Sequence, residues 1–416
     1  MRTAVQAIRG AAGLIIVRDS IERNLNLPRT YGVDDFPIIV QSQQYDSLNQ
    51  AMPKGMQDST LLVNGARANY GYSVYLNAPA QVIRLRLLNA SGERSFNFGF
   101  SNNLHFSQIA TDGGLLDAPF DTTRIRLALG ERAEIVLDLS GLNGQNIQLM
   151  SYASEMAMGI QGGPTMPMPG GPPMDSPLNG IDFSVMQIHV INSTLNPVLS
   201  VPNALTSLQP YAESSATSFR TIRFTADSLA VMDGPFYFND SSFSMMRIDY
   251  TIPLNAVEVW KLVNETMVAH PFHLHDEQFF ILDRNENLPP NSEKGWKDVL
   301  LLPPGDSIRF ITKFRDFADT AIPYMFHCHI LMHEDDGMMG SFKVIDTSST
   351  IGWRDLRPTT EVKVFPNPVQ DILKIVANEK DWKELKIYNC YGSLIYNNRF
   401  NSSIPIKNIC LNKGIY

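Results

Sequence analysis

No run of basic residues occurs in this chain. Acids outnumber Lys and Arg by 42 to 34, a net charge of −8. That balance excludes nucleic acid and an anionic membrane surface as partners held by charge. No apolar stretch reaches the length of a membrane span. Long amphipathic helical patterns are scarce. Short apolar runs broken by Asn, Asp, Gly and Pro take their place, the pattern of an all-β chain. Cysteine is scarce too, three in all. Cys390 and Cys410 lie near the C-terminus, where a disulfide in an exported protein and two unpaired thiols are both open readings. The first residues do not read as a secretory leader. Ala11-Ala-Gly-Leu-Ile-Ile-Val17 follows Arg2 and Arg9, but Arg18 and Asp19 come next and no small-residue cleavage pattern is present. What remains is a 44% hydrophobic chain of 416 residues, enough for two or three domains with substantial cores.

Histidine is confined rather than absent. Six of the eight fall in two short stretches. The richer is Met325-Phe-His-Cys-His-Ile-Leu-Met-His-Glu-Asp-Asp-Gly-Met-Met339, which places His327, Cys328, His329, His333 and Met338 close together. Its apolar flank suits a buried strand running into a loop. Side chains alternate faces on a strand, so Cys328 faces one way and His327 and His329 the other. A thiolate, an imidazole five residues on and a weak thioether ten residues on make most of a blue-copper site, which needs one more imidazole. The second stretch, His270-Pro-Phe-His-Leu-His275, offers it. His273 and His275 share a face, and His270 points the other way. One side then carries His270, Cys328, His333 and Met338. The other carries His273, His275, His327 and His329 for a second metal centre.

These two motifs resemble the copper signatures of the multicopper oxidases: laccases, bilirubin oxidases, bacterial cuprous oxidases and spore-coat laccases. Gly295-Trp-Lys-Asp298 between them is similar to the family as well. The resemblance implies type 1 copper on His270, Cys328, His333 and Met338, type 2 copper on His273, and a type 3 pair on His275, His327 and His329. It implies an all-β fold of consecutive cupredoxin-like Greek-key sandwich or barrel domains. It also implies two His-x-His motifs upstream, which supply four more histidines of a trinuclear cluster. This sequence has none, and His105 and His189 lack the spacing to replace them. The expectation is a fragment of a longer gene, or a protein with half an oxygen-reducing centre.

Along the chain, residues 1–20 read as a strand remnant of the first cupredoxin domain and 21–34 as a linker. Residues 30–149 read as a second, copper-free cupredoxin-like domain, with Val82–Leu88 and Ile135–Leu139 as half-buried strands. Residues 150–180 are rich in Met, Gly and Pro. A flexible linker is the preferred reading there, over a Cu(I)-binding insert. Residues 181–346 form the third, copper-bearing domain, opened by the strand Ile181–Ile191. In that alternation His189 reads as a packed or surface residue rather than a ligand. Residues 347–360 form a linker. Residues 361–416, with Phe365-Pro-Asn-Pro and the closing Gly-Ile-Tyr416, resemble the type A sorting domain of type IX secretion, a small β-sandwich that ends here one strand early. That resemblance implies a secreted or cell-surface protein handled by secretion machinery.

The implied reaction is one-electron oxidation of a small reducing substrate (a phenol, a pigment or a metal ion) with O2 reduced to water. Cys328 would pass electrons through the backbone to His327 and His329. Glu334 matches the acid that donates protons. Asp298 is a candidate orienting residue, and a solvated acid is the equal alternative. Thr266 stands where cuprous oxidases carry an acid, which weakens that substrate. A copper nitrite reductase is disfavoured by the second flanking His. A copper-binding or electron-transfer protein with type 1 copper alone stays open.

Overall fold

The computed structural model describes residues 2–52, 58–68, 74–165, 176–229, 231 and 234–347, and five strands between 362 and 410. The described chain divides into two units, Met1–Thr347 and Ser348–Tyr416.

The first unit contains two β-sandwiches. One sheet of the first sandwich runs in the order Ala66–Arg67, Thr60–Val63, Asp35–Gln43, Val82–Asn89, Arg132–Asp138, Phe106–Thr111 and Gly114–Thr122. Facing it are Tyr75–Pro79, Phe183–Ile191, Asn146–Ser151, Phe96–Phe100 and Ile125–Leu127. Phe96, Phe98, Phe100, Leu85 and Ile135 fill the space between, all fully buried. The second sandwich repeats the plan. Its six-stranded sheet is Phe236–Phe238, Ser218–Ala226, Val257–Asn264, Ser307–Lys313, Phe279–Arg284 and Trp296–Lys297. Its five-stranded sheet is Tyr250–Pro253, Met339–Ile345, Tyr324–Cys328, His270–Leu274 and Val299–Leu302. Each sandwich has one parallel pair in each sheet, which long crossovers rather than hairpins must connect. Trp260 centres the second core, with Phe272, Phe310, Phe314, Phe326 and Phe342 around it.

Three expectations need correction. The strand Phe183–Ile191 pairs with Asn146–Ser151 and Tyr75–Pro79, so it closes the first sandwich and does not open the copper-bearing domain at 181. Alternation marks a strand but carries no mark of its partner. His189 stacks on Tyr75 there, away from the other histidines. Residues 2–20 hold no strand. Thr3–Ile8 is a helix, Ser20–Asn24 is another, and Ile15 and Val17 are left 88% and 82% exposed. The first helix is capped from a distance: Thr3 N and Ala4 N donate to the Asp335 carboxylate at 2.8 and 3.1 Å. Residues 150–165 are not a loose linker. Met150 lies in a strand, and Met156 is buried with Ile160 against Ala128, Ala269 and Leu301. Met166, Met168 and Met174 lie outside the described residues.

The second unit has one sheet of Val362–Phe365, Ile372–Ala377 and Ile406–Cys410, and another of Glu384–Tyr388 and Leu394–Arg399. This agrees with a small β-sandwich. The pairing of Cys390 with Cys410 lies outside the described residues.

Candidate metal centre

The site is built on two neighbouring antiparallel strands. Phe272 pairs with Cys328, His273 with His327 and Leu274 with Phe326. Paired residues share a face and neighbours alternate. His270, Phe272 and Cys328 therefore point into the core, all fully buried, while His273 and His327 point out of it. After Cys328 the chain turns through the short helix Leu331–Asp335 and returns as Met339–Ile345. Two backbone bonds close this loop: Met338 N to His333 O at 2.8 Å and Cys328 N to Met338 O at 3.1 Å.

On the inner face, Cys328 Sγ is 3.6 Å from His270 Nδ1 and 3.6 Å from His333 Nδ1. The three donor atoms lie within 4.8 Å of one another. Met338 is fully buried in the same core cluster. Phe236 lies against both imidazoles, its ring centre 4.7 Å from His270 and 4.6 Å from His333. Burial lowers the pKa of His333 to about 3, and burial with His333 nearby lowers that of His270. Both imidazoles thus stay neutral and able to ligate. Burial pushes the Cys328 thiol far up, so only a bound cation would hold it as the thiolate.

On the outer face, donor atoms of His273, His275 and His327 form a second group within 4.8 Å. His273 Nδ1 donates to Asp298 O at 2.8 Å and His327 Nδ1 to Cys328 O at 2.9 Å. A carbonyl only accepts, so both Nε2 atoms keep a free lone pair. His329 stands outside that tight group. Its ring centre is 5.7 Å from His273 and 5.6 Å from His327. Its Nδ1 is buried with no hydrogen-bond partner among the described residues. Burial lowers the pKa of His275 and of His329 to about 4.

Glu334 lies between these groups and the first helix. The Thr3 hydroxyl donates to its Oε1 at 2.9 Å, and its Oε2 is 3.4 Å from His327 Nδ1. Burial raises its carboxyl above the ordinary value of 4.5. Asp298 is not a solvated acid. Arg132 of the first sandwich grips its carboxylate with both terminal nitrogens, one at 2.7 Å, and its carbonyl receives His273.

Three contributors carry no signal in the sequence. Gly130, at φ +81°, lets the His329 ring approach its backbone, because a Cβ there would stand 2.7 Å from Nε2. Arg132 and Phe236 come from strands far away in the chain. Thr266 had a positional signal alone, four residues before His270. Its hydroxyl is 2.9 Å from His270 Nε2.

Two neutral imidazoles, a thiol and a thioether on one face, and four imidazoles on the other, fit copper better than any oxygen-preferring cation. The fold and this donor set define a cupredoxin-type metalloprotein. Residues 37–154 and 213–348 both match the multicopper oxidase family, and residues 363–416 match a secretion system C-terminal sorting domain. The chain is 34% identical to the multicopper oxidase mco of Staphylococcus haemolyticus, over 82% of this chain and 65% of that protein. It is 30% identical to the cell division protein FtsP of Xenorhabdus nematophila, over 82% of this chain and 68% of that one. Among solved structures it is similar to a bacterial laccase-like multi-copper oxidase from Ochrobactrum sp., with 29% identity, a TM-score of 0.68, and coverage of 83% of this chain and 74% of that one. The chain belongs to the multicopper oxidase family. It spans 65% of the length of the Staphylococcus relative.

Proposed function

We propose that this chain carries the electron-entry site and half of the oxygen site of a secreted or cell-surface copper oxidase. The reaction is one-electron oxidation of a small reducing substrate, a phenol, a pigment or a metal ion, coupled to four-electron reduction of O2 to water. His270, Cys328, His333 and Met338 would hold type 1 copper, His273 type 2 copper, and His275, His327 and His329 the type 3 pair. Copper supplies reversible one-electron chemistry between reductant and O2.

The observation that carries this reading is Cys328 within 3.6 Å of two imidazoles, with His327 next in the chain and in the second imidazole group. One peptide unit joins the two sites. The chain's residues keep the inner site dry and its imidazoles neutral. Glu334 is the proton-holding residue. Burial raises its carboxyl above the ordinary value, and it lies beside His327. The sorting domain at residues 363–416 would hand the protein to secretion machinery.

A second reading is an electron carrier with type 1 copper alone. His329 standing apart from the tight imidazole group favours it. Oxygen uptake by the copper-loaded protein with a phenolic donor separates the two. Uptake accompanied by an intense thiolate-to-copper band supports the oxidase. The band without uptake supports the carrier, and absence of the band contradicts both.

A further inference from the structure

We infer that Thr266 is a positioning residue: its hydroxyl fixes His270 as the Nε2–H tautomer, aims Nδ1 at Cys328, and sets the redox poise of that site. The inference rests on the reading of His270, Cys328 and His333 as a copper site.

The hydrogens of a buried network decide the tautomer. Asn264 is 1% exposed, Thr266 4% and His270 0%. The Asn264 amide nitrogen shares its two hydrogens among three carbonyls, Val268 O at 2.8 Å and Leu302 O and Pro303 O at 3.0 Å. Its Oδ1 is therefore the accepting end, and it receives Thr266 N at 2.9 Å. The Thr266 hydroxyl has one proton. Its neighbours at 2.8 and 3.0 Å are Asn264 Oδ1 and Val268 O, both acceptors only. The proton goes to one of them. Of the two lone pairs, one receives Val268 N at 3.4 Å and the other faces His270 Nε2 at 2.9 Å, so that nitrogen carries the hydrogen. Nδ1 is then unprotonated, and it is the atom 3.6 Å from Cys328 Sγ. The tautomer is settled before any metal binds.

The consequence is electronic as well as geometric. An acceptor on the distal N–H makes an imidazole a stronger donor and favours the more highly charged metal ion. Thr266→Val keeps the shape, removes the acceptor and strands a buried N–H. Loss of such an outer partner weakens metal binding by roughly 10–100-fold. If Cu(II) binding alone falls about tenfold, the midpoint potential rises by ~59 mV. Thr266→Ser keeps the hydroxyl and restores the wild-type value.

Two measurements test this. The first is the 15N spectrum of the His270 ring in the copper-free protein. An Nε2–H tautomer in wild type and T266S supports the inference. An Nδ1–H tautomer in wild type overturns it, whether or not T266V folds. The second is the potential of the blue site. A rise in T266V with rescue in T266S supports the inference, and an equal potential in all three proteins overturns the tuning role. A wild-type protein without a blue band refutes the copper reading instead, and the ring spectrum still decides the tautomer.

Discussion

Gly130 shows how much of the site depends on a residue that holds no metal. Its φ of +81° belongs to the left-handed region, and the His329 ring occupies the space where a Cβ would be. Gly130→Ala should cost about 1–3 kcal/mol through backbone strain, with the contact against His329 added to it. The expected outcome is a lower melting temperature and fewer coppers bound on the outer face, with the blue band retained. Copper titration followed at the thiolate band checks it. The two clusters themselves were legible in the sequence because His, Cys and Met at such spacing are rare and follow strand alternation. Gly130, Arg132 and Phe236 were not, because each reaches the site through a tertiary contact that leaves no local pattern. Thr266 was visible as a position, but its bond to His270 Nε2 depends on where Asn264 is anchored.

Among the elements, the paired strands His270–Leu274 and Tyr324–Cys328 hold the two motifs together across more than fifty residues of chain. Their existence followed from alternation and their pairing from the need to bring the two motifs together, while the antiparallel sense comes from the structure alone. The next strand, Met339–Ile345, packs so closely that a Cβ on Gly340 would stand 2.1 Å from the Phe326 ring. Gly340→Ala should destabilise by ~1–3 kcal/mol, as overpacking does, and should weaken the blue site by displacing the strand that carries Cys328. Thermal unfolding and the intensity of the thiolate band report the two effects separately. The strand Phe183–Ile191 and the helix Thr3–Ile8 mark where local reading stops. The first reads as a strand in either sandwich. The second takes its cap from Asp335, more than three hundred residues away.

Across the whole first unit, the first sandwich is part of the site's frame. Lys297 is buried with Asp112 at 2.9 Å and Glu131 at 3.1 Å, and Arg132 grips Asp298. Lys297→Met removes the cation between Glu131 and Asp112, leaving Asp112 with Arg132 at 3.7 Å, and should cost about 3–5 kcal/mol. Denaturant unfolding measures it. Glu293 gives the seam a pH dependence. Burial alone would raise its pKa, but the charges of Arg284 and Arg126 overcome that and hold it below the ordinary 4.5. A depressed folded pKa means stability that is complete above the unfolded value and lost as pH falls through the folded one. The melting temperature should therefore fall on acidification below pH 4.5, with a shallower slope in Glu293→Gln. The two-sandwich architecture and the separate C-terminal module were legible from strand patterning and motifs. The seam was not, since charged residues in a sequence carry no sign of whether they meet at an interface.

The measurement that tests the central claim most directly is copper content with the visible spectrum, compared between the wild-type protein and Cys328→Ser after Cu(II) loading. Two sites on opposite faces of one strand predict an intense thiolate-to-copper band in the wild type. They predict a variant that loses this band and its copper while keeping the metal held by His273, His275 and His327. A wild type without the band, or a variant that loses all of its copper, would contradict the account.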